Sequence, residues 1–144
     1  MRILVSACLL GLACRYNGKA KPSDAVVQLA KVHELVPFCP EIYGGLATPR
    51  EPSEIRNGHV FTRTGQDVTS AFTKGAQEAL LLAQTLGCTC AVLMDRSPSC
   101  GSGIIHDGTF TDGLTQGDGL TAALLKEHGI QVINASDVHS LLCQ

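Results

Sequence analysis

Short apolar runs recur along the chain, each closed by glycine or a polar cluster. Stretches with apolar residues at helical spacing lie between them. Residues 2–7, 34–38, 89–94 and 130–133 read as buried strands. Ser23 or Asp24 is placed to cap a short helix running to about Lys31. Val68, Phe72, Ala76, Ala79, Leu80 and Ala83 mark one face of the longest helix, over 68–86, with Asp67 as its cap and Gly87 as its stop. A second periodic stretch, 119–128, stops at Gly129, and Ser136 is placed to cap a terminal helix. Residues 104–112 predict a small hairpin turning at His106-Asp107-Gly108. The long polar segment 40–66 reads as a structureless lid or binding loop.

Strands alternating with helices imply right-handed crossovers and a parallel sheet. The expected fold class is α/β: a Rossmann-like three-layer domain with a mainly parallel sheet of about four strands and a small hairpin near the active-site face. At 144 residues the chain reads as one domain, 1–144, able to bury its own core.

Composition narrows the function. Eleven basic residues against 13 acidic ones give a formal charge of −2, which argues against broad electrostatic binding to nucleic acid. A small phosphorylated ligand needs only a local basic patch. No apolar run is long enough to span a bilayer. The apolar N-terminal stretch leads into Arg15-Tyr16-Asn17-Gly18 without a convincing cleavage site, so it reads as the first core strand of a cytoplasmic protein. Neither a GxGxxG nor a Walker A pattern is present.

Seven cysteines is an odd number in a chain without secretory context, so metal binding, catalysis or burial are favoured over a disulfide framework. Cys8, Cys39 and Cys100 each follow a predicted strand in a polar or glycine-rich setting. Loops at the carboxyl ends of parallel strands meet at one crevice, so thiols far apart in sequence can converge there. Free cysteine is often simply buried, but these contexts favour chemistry. The spacing is not that of a zinc ribbon. Three thiolates and a vacant fourth position suit an iron–sulfur cluster with one iron open to substrate. Cys14 is open to three readings: a fourth ligand, a resolving thiol, or the favoured one, a spectator beside the site. Cys88 and Cys90, two apart, are expected to be buried on one strand face, and Cys143 is incidental.

Glu41, two residues after Cys39, is a candidate general acid or base. Ser97 and Ser99 are placed to bond substrate or cluster sulfur, or simply to build a turn. Asp95 and Arg96 are expected to pair or to orient the same loop. Arg15, Lys19, Lys21 and Arg50, with Asn17-Gly18, are able to hold a phosphate. The five histidines lack ligand spacing and none is assigned to metal.

The segments SACLLGLACRYNG, PFCPEIYGGLATPR, GQDVTSAFTKGA, DRSPSCGSG and GDGLTAALLKEHGI together resemble the thiouracil desulfidases, small bacterial iron–sulfur proteins. The resemblance covers nearly the whole chain in order. It implies a [4Fe-4S] cluster held by three cysteines, Cys8, Cys39 and Cys100, with one iron open. It also implies a non-redox reaction in which a 4-thiouracil compound loses sulfur as hydrogen sulfide and takes oxygen from water. Glu41 would act as base and Ser97 would bond substrate or relay a proton. Arg15, Asn17, Lys19, Arg50 and Ser99 would contact substrate. Asn17 and Ala47 stand where the family commonly has aspartate and proline. The short, slightly acidic chain favours 4-thio-UMP or the free base over intact tRNA, and it leaves the oligomeric state open. Competing readings are a non-catalytic cluster carrier or redox sensor, and a metal-free thiol enzyme using Cys100.

Overall fold

The computed structural model describes residues 1–142; Cys143 lies outside them. In chain order the elements are β1 (Arg2–Ser6), α1 (Asp24–Gln28), β2 (Glu34–Phe38), α2 (Pro40–Tyr43), β3 (Ser53–Arg56), β4 (His59–Thr62), α3 (Thr69–Leu86), β5 (Cys90–Leu93), β6 (Ile104–His106), β7 (Leu114–Gln116), α4 (Leu120–Glu127), β8 (Gln131–Asn134) and α5 (His139–Leu142). The main sheet has the order β2-β1-β5-β8, and every pairing in it is parallel. Leu4 stands opposite Val36 on one side and Ala91 on the other.

Alternation along β1 separates two cores. Ile3 and Val5 pack with Val26, Leu29, Val138 and Leu141. Leu4 faces the other way, into a cluster with Ala79, Ala83, Ala122 and Leu125. Helices therefore cover both faces of the sheet, as the unbroken apolar strands require. Cys90 and Cys88 are both buried, but in opposite cores. Cys88 precedes the strand, after the left-handed Gly87 (φ 68°), so the two-residue rule does not reach it. No helix among the described residues is long and apolar enough to cross a membrane.

Helix boundaries follow local chemistry. The Ser23 hydroxyl accepts the Val26 amide and caps α1. Asp67 accepts the Thr69 amide at 2.9 Å just ahead of α3. Ser136 sits inside a 3₁₀ turn, Ala135–Asp137, and bonds the Asp95 carboxylate instead of capping a helix.

Two further expectations are corrected. Segment 40–66 is not structureless: it holds α2 and the β3–β4 hairpin. The hairpin turns at Asn57-Gly58, both left-handed (φ 52° and 77°), a strong hairpin pair. Its strands hide polar as well as apolar residues, Glu54 and Thr62 beside Val60, which blurs the alternation in the sequence. The second hairpin pairs Ile104–His106 with Leu114–Gln116, so its connection is 107–113 and not the three residues 106–108. Within that connection the Asp107 carboxylate takes both the amide and the hydroxyl of Thr109. That local bonding holds Thr109–Thr111 out of a ladder.

The short helix α2 lies against α3 at backbone distance. A Cβ on Gly75 would stand 2.0 Å from the Pro40 carbonyl oxygen, and one on Gly44 2.1 Å from that of Ala71. Glycine is required at both places because the obstacle is main chain. Gly75→Ala is therefore expected to force α2 off α3 and to cost about 1–3 kcal/mol. Thermal denaturation checks this as a fall of several degrees in Tm.

Candidate active site

The carboxyl ends of β1, β2 and β5 open onto a cavity of about 280 Å³, lined by Cys8, Cys14, Cys39 and Cys100. Each thiol arrives by a different local device. Cys8 sits in the 3₁₀ turn Ala7–Leu10, ended by left-handed Gly11. Cys39 is the residue before α2, where Pro40 opens the helix. Cys100 lies on a loop closed by the Gly101 amide bonding the Ser97 carbonyl at 3.0 Å. That loop is seated on the start of α4, whose Leu120, Thr121 and Ala122 amides donate to the carbonyls of Pro98 and Ser99. Cys14 comes from the coil after β1.

Burial dominates the electrostatics. It pushes the Cys8 thiol up to about 12, with Cys100, Cys14 and Cys39 adding to the rise and Arg15 opposing it. Burial likewise raises Cys100 to about 12, against hydroxyl bonds from Ser6 and Ser99. Those hydroxyls lie 3.4 and 3.6 Å from its sulfur. Arg15 does not offset burial at Cys8, so the Cys8 and Cys100 thiols favour their protonated forms.

The donor set fits an iron–sulfur cluster better than one ion. Among the described residues no three His, Cys, Asp or Glu side chains converge on a point that a single metal could occupy. A lone zinc sits about 2.3 Å from each sulfur and draws its ligands together. A cluster distributes thiolates over separate irons and matches thiols reaching in from three strand ends.

Beside the thiols runs a hydrogen-bonded chain. Glu41 Oε2 accepts from Ser99 Oγ at 2.9 Å, and Ser99 Oγ lies 3.1 Å from Ser97 Oγ. The amides of Ser99 and Cys100 donate to Ser97 Oγ at 3.1 and 2.7 Å. Glu41 Oε1 takes Arg50 Nε at 3.1 Å, in an ion pair whose side chains are only 9% and 17% exposed. The rest of the Arg50 guanidinium is committed to the Ala47 and Cys14 carbonyls and the Thr48 hydroxyl. It faces the cavity as a clamp on Glu41.

The other expected substrate contacts divide. Arg15 lines the cavity, its guanidinium 5.7 Å over the Tyr16 ring. Asn17 and Lys19 stand outside the cavity wall, exposed, with Asn17 Oδ1 accepting the Lys19 amide. Ser99 lines the cavity but is buried, its hydroxyl directed at Glu41 and Cys100. Asp95 bonds Ser136 and not Arg96.

Sequence reasoning missed Glu54, Arg63, Arg96, His106 and Asp112 in the wall. Arg96 adopts a left-handed backbone (φ 67°), which only coordinates reveal. Glu54 is buried and takes the Gly108 and Phe110 amides at 3.0 and 3.2 Å, tying the 107–113 loop to the β3–β4 hairpin. The Asn57-Gly58 turn was the available pointer to that hairpin.

These environments fix a pH response for the cluster-free chain. Thiols that hold their protons longer folded than unfolded leave stability unchanged below their ordinary value of 9.0 and lower it as pH climbs toward about 12, because the unfolded chain ionises first. Urea unfolding at about pH 8 and about pH 10 should show that loss, with a shallower decline in Cys100→Ala.

The family model described as 2-thiouracil desulfurase matches residues 3–137. The chain is 41% identical to the uncharacterized protein YbbK of Bacillus subtilis (strain 168), over 97% of this chain and 99% of that one. It superposes at a TM-score of 0.92 on the structure of a [4Fe-4S]-dependent thiouracil desulfidase, TudS, with 44% identity, covering 99% of this chain and 95% of the other.

Proposed function

The chain belongs to the 2-thiouracil desulfurase family, and from that membership we propose a non-redox desulfidase that converts a 4-thiouracil compound and water to the uracil compound and hydrogen sulfide. The observation carrying this reading is the meeting of Cys8, Cys39 and Cys100 with the Ser97–Ser99–Glu41 chain on one cavity. Cys8, Cys39 and Cys100 would hold a [4Fe-4S] cluster, which when bound supplies a soft Lewis-acid iron, open in one position, suited to a thiocarbonyl sulfur.

The protein supplies proton handling and orientation. Glu41 acts as the base for the attacking water, with Arg50 holding one carboxylate oxygen and Ser99 the other. Two amides fill the acceptor side of Ser97 Oγ and leave its proton for Ser99 or for substrate. A proton can therefore pass between the substrate side and Glu41 along two hydroxyls. Arg15, Lys21, Arg63 and Arg96 line the cavity, and none of them makes an ion pair with a carboxylate of the described chain. Glu41, Glu54 and Asp95 share the wall but are engaged by Arg50, by the Gly108 and Phe110 amides and by Ser136, so with Asp112 as the remaining carboxylate these cations in a chain of charge −2 support 4-thio-UMP over the free base and over intact tRNA. The reading includes one desulfidase-like domain over 1–144 and a cytoplasmic location.

The test is anaerobic reconstitution followed by incubation with 4-thio-UMP or 4-thiouracil. One sulfide per uracil product is expected, without added reductant, and a higher kcat/KM for the nucleotide. Cluster binding without sulfide release would favour a cluster carrier, and full activity after chelation would favour a metal-free thiol enzyme. Single replacement of Cys8, Cys39 or Cys100 by Ala should abolish cluster binding. Glu41→Gln should keep the cluster, seen in iron content and visible absorbance, and lose about 10²–10⁴ in kcat.

A further inference from the structure

Cys14 is a cavity thiol with no part in the desulfidase reading. It is buried, and it comes from the 11–22 coil, which carries no helix or strand. The Cys39 sulfur lies 3.8 Å from the Cys14 carbonyl oxygen. Both thiols line the same cavity, and burial, with the charge of Cys39 adding to it, pushes Cys14 up to about 11. Cys100 has hydroxyl partners instead, Ser6 and Ser99. Of the pair, Cys39 is the more exposed and meets a soluble oxidant first.

We propose that Cys14 is the resolving thiol of Cys39, forming with it a reversible disulfide in the cluster-free chain. Hydrogen peroxide transfers one oxygen to the Cys39 thiolate, giving a sulfenic acid as the O–O bond breaks and hydroxide leaves. The Cys14 sulfur then attacks the Cys39 sulfur and expels a second hydroxide. Two thiols and one peroxide become one disulfide and two waters. The bridge removes Cys39 from the ligand set, and it also keeps that sulfur from the irreversible sulfinic state. A dithiol returns both thiols and with them the capacity to take up a cluster. The proposal concerns this chain's sulfur chemistry and is read without turnover of any thiopyrimidine.

The test treats the full-length, cluster-free chain with excess hydrogen peroxide, blocks remaining thiols and digests with trypsin. Cleavage after the basic residues gives peptides 3–15 and 32–50, which should appear cross-linked and separate on reduction. Peptide 3–15 holds Cys8 as well as Cys14, so fragmentation must place the bridge. Cys14→Ser should take up wild-type iron when reconstituted without oxidation. After peroxide and then dithiothreitol, wild type should regain cluster uptake, while Cys14→Ser should retain about tenfold less and carry sulfinic acid at Cys39. A bridge from Cys39 to Cys8, no bridge at all, or loss of iron from unoxidised Cys14→Ser would overturn the proposal.

Discussion

A thiolate taken out of water is unstable unless positive charge stands beside it. Cys8, Cys14 and Cys100 lie in a cavity wall where burial is the largest cause lifting each thiol above its ordinary value, and neighbouring thiols add to the rise. Arg15 and Arg50 oppose this only in part. The fold is therefore arranged for neutral thiols, while ligation of iron would need thiolates. A cluster held by Cys8, Cys39 and Cys100, as proposed, would resolve that conflict, because metal binding replaces the protons. The surrounding architecture is best understood as the means of bringing such donors together while keeping them dry.

Parallel pairing does most of this. Three adjacent strands, β2, β1 and β5, end on the same edge, so residues just beyond them are neighbours whatever their separation in sequence. The fourth device is the approach of α2 to α3 through Gly44 and Gly75, which sets where Cys39 and Glu41 stand relative to the sheet. The Arg50–Glu41 pair is largely buried, and such pairs are weak sources of stability. Its value lies in orientation: the guanidinium holds one carboxylate oxygen so that the other faces Ser99.

The strand ends were legible in the sequence because a buried parallel strand is an apolar run and its exit is a polar cluster. Cys8, Cys39 and Cys100 were found by that rule. The β3–β4 hairpin was not, since it buries Glu54 and Thr62, and a polar inward face defeats a pattern built on apolar alternation. The basic residues show the same boundary. Arg15 and Arg50 both line the cavity, but the sequence does not say which guanidinium is already bonded. Arg50 makes four side-chain hydrogen bonds to the chain, whereas Arg96 reaches the cavity through a left-handed backbone that no composition encodes. Lys19, close in sequence to residues of the wall, remains outside it because the turn at Asn17-Gly18 directs it away.

Arg50 also joins the two chemistries of the cavity. Its amide bonds the Tyr16 carbonyl at 2.7 Å, and its Nη2 bonds the Cys14 carbonyl at 3.0 Å. The Cys14 carbonyl thus lies between the guanidinium and the Cys39 sulfur. The coil carrying Cys14, the segment after α2 and the Glu41 carboxylate are all fixed to one residue, although neither segment has regular structure of its own at that place. Any movement that draws the Cys14 backbone toward Cys39 must shift the acceptor that Arg50 uses, and with it the clamp on Glu41. In the proposed roles, ligand thiol and proton acceptor would therefore not be independent parts: a change in the sulfur bonding of Cys39 would reach Glu41 through a single planar cation, whose fixed fork geometry transmits small displacements that a flexible lysine would absorb.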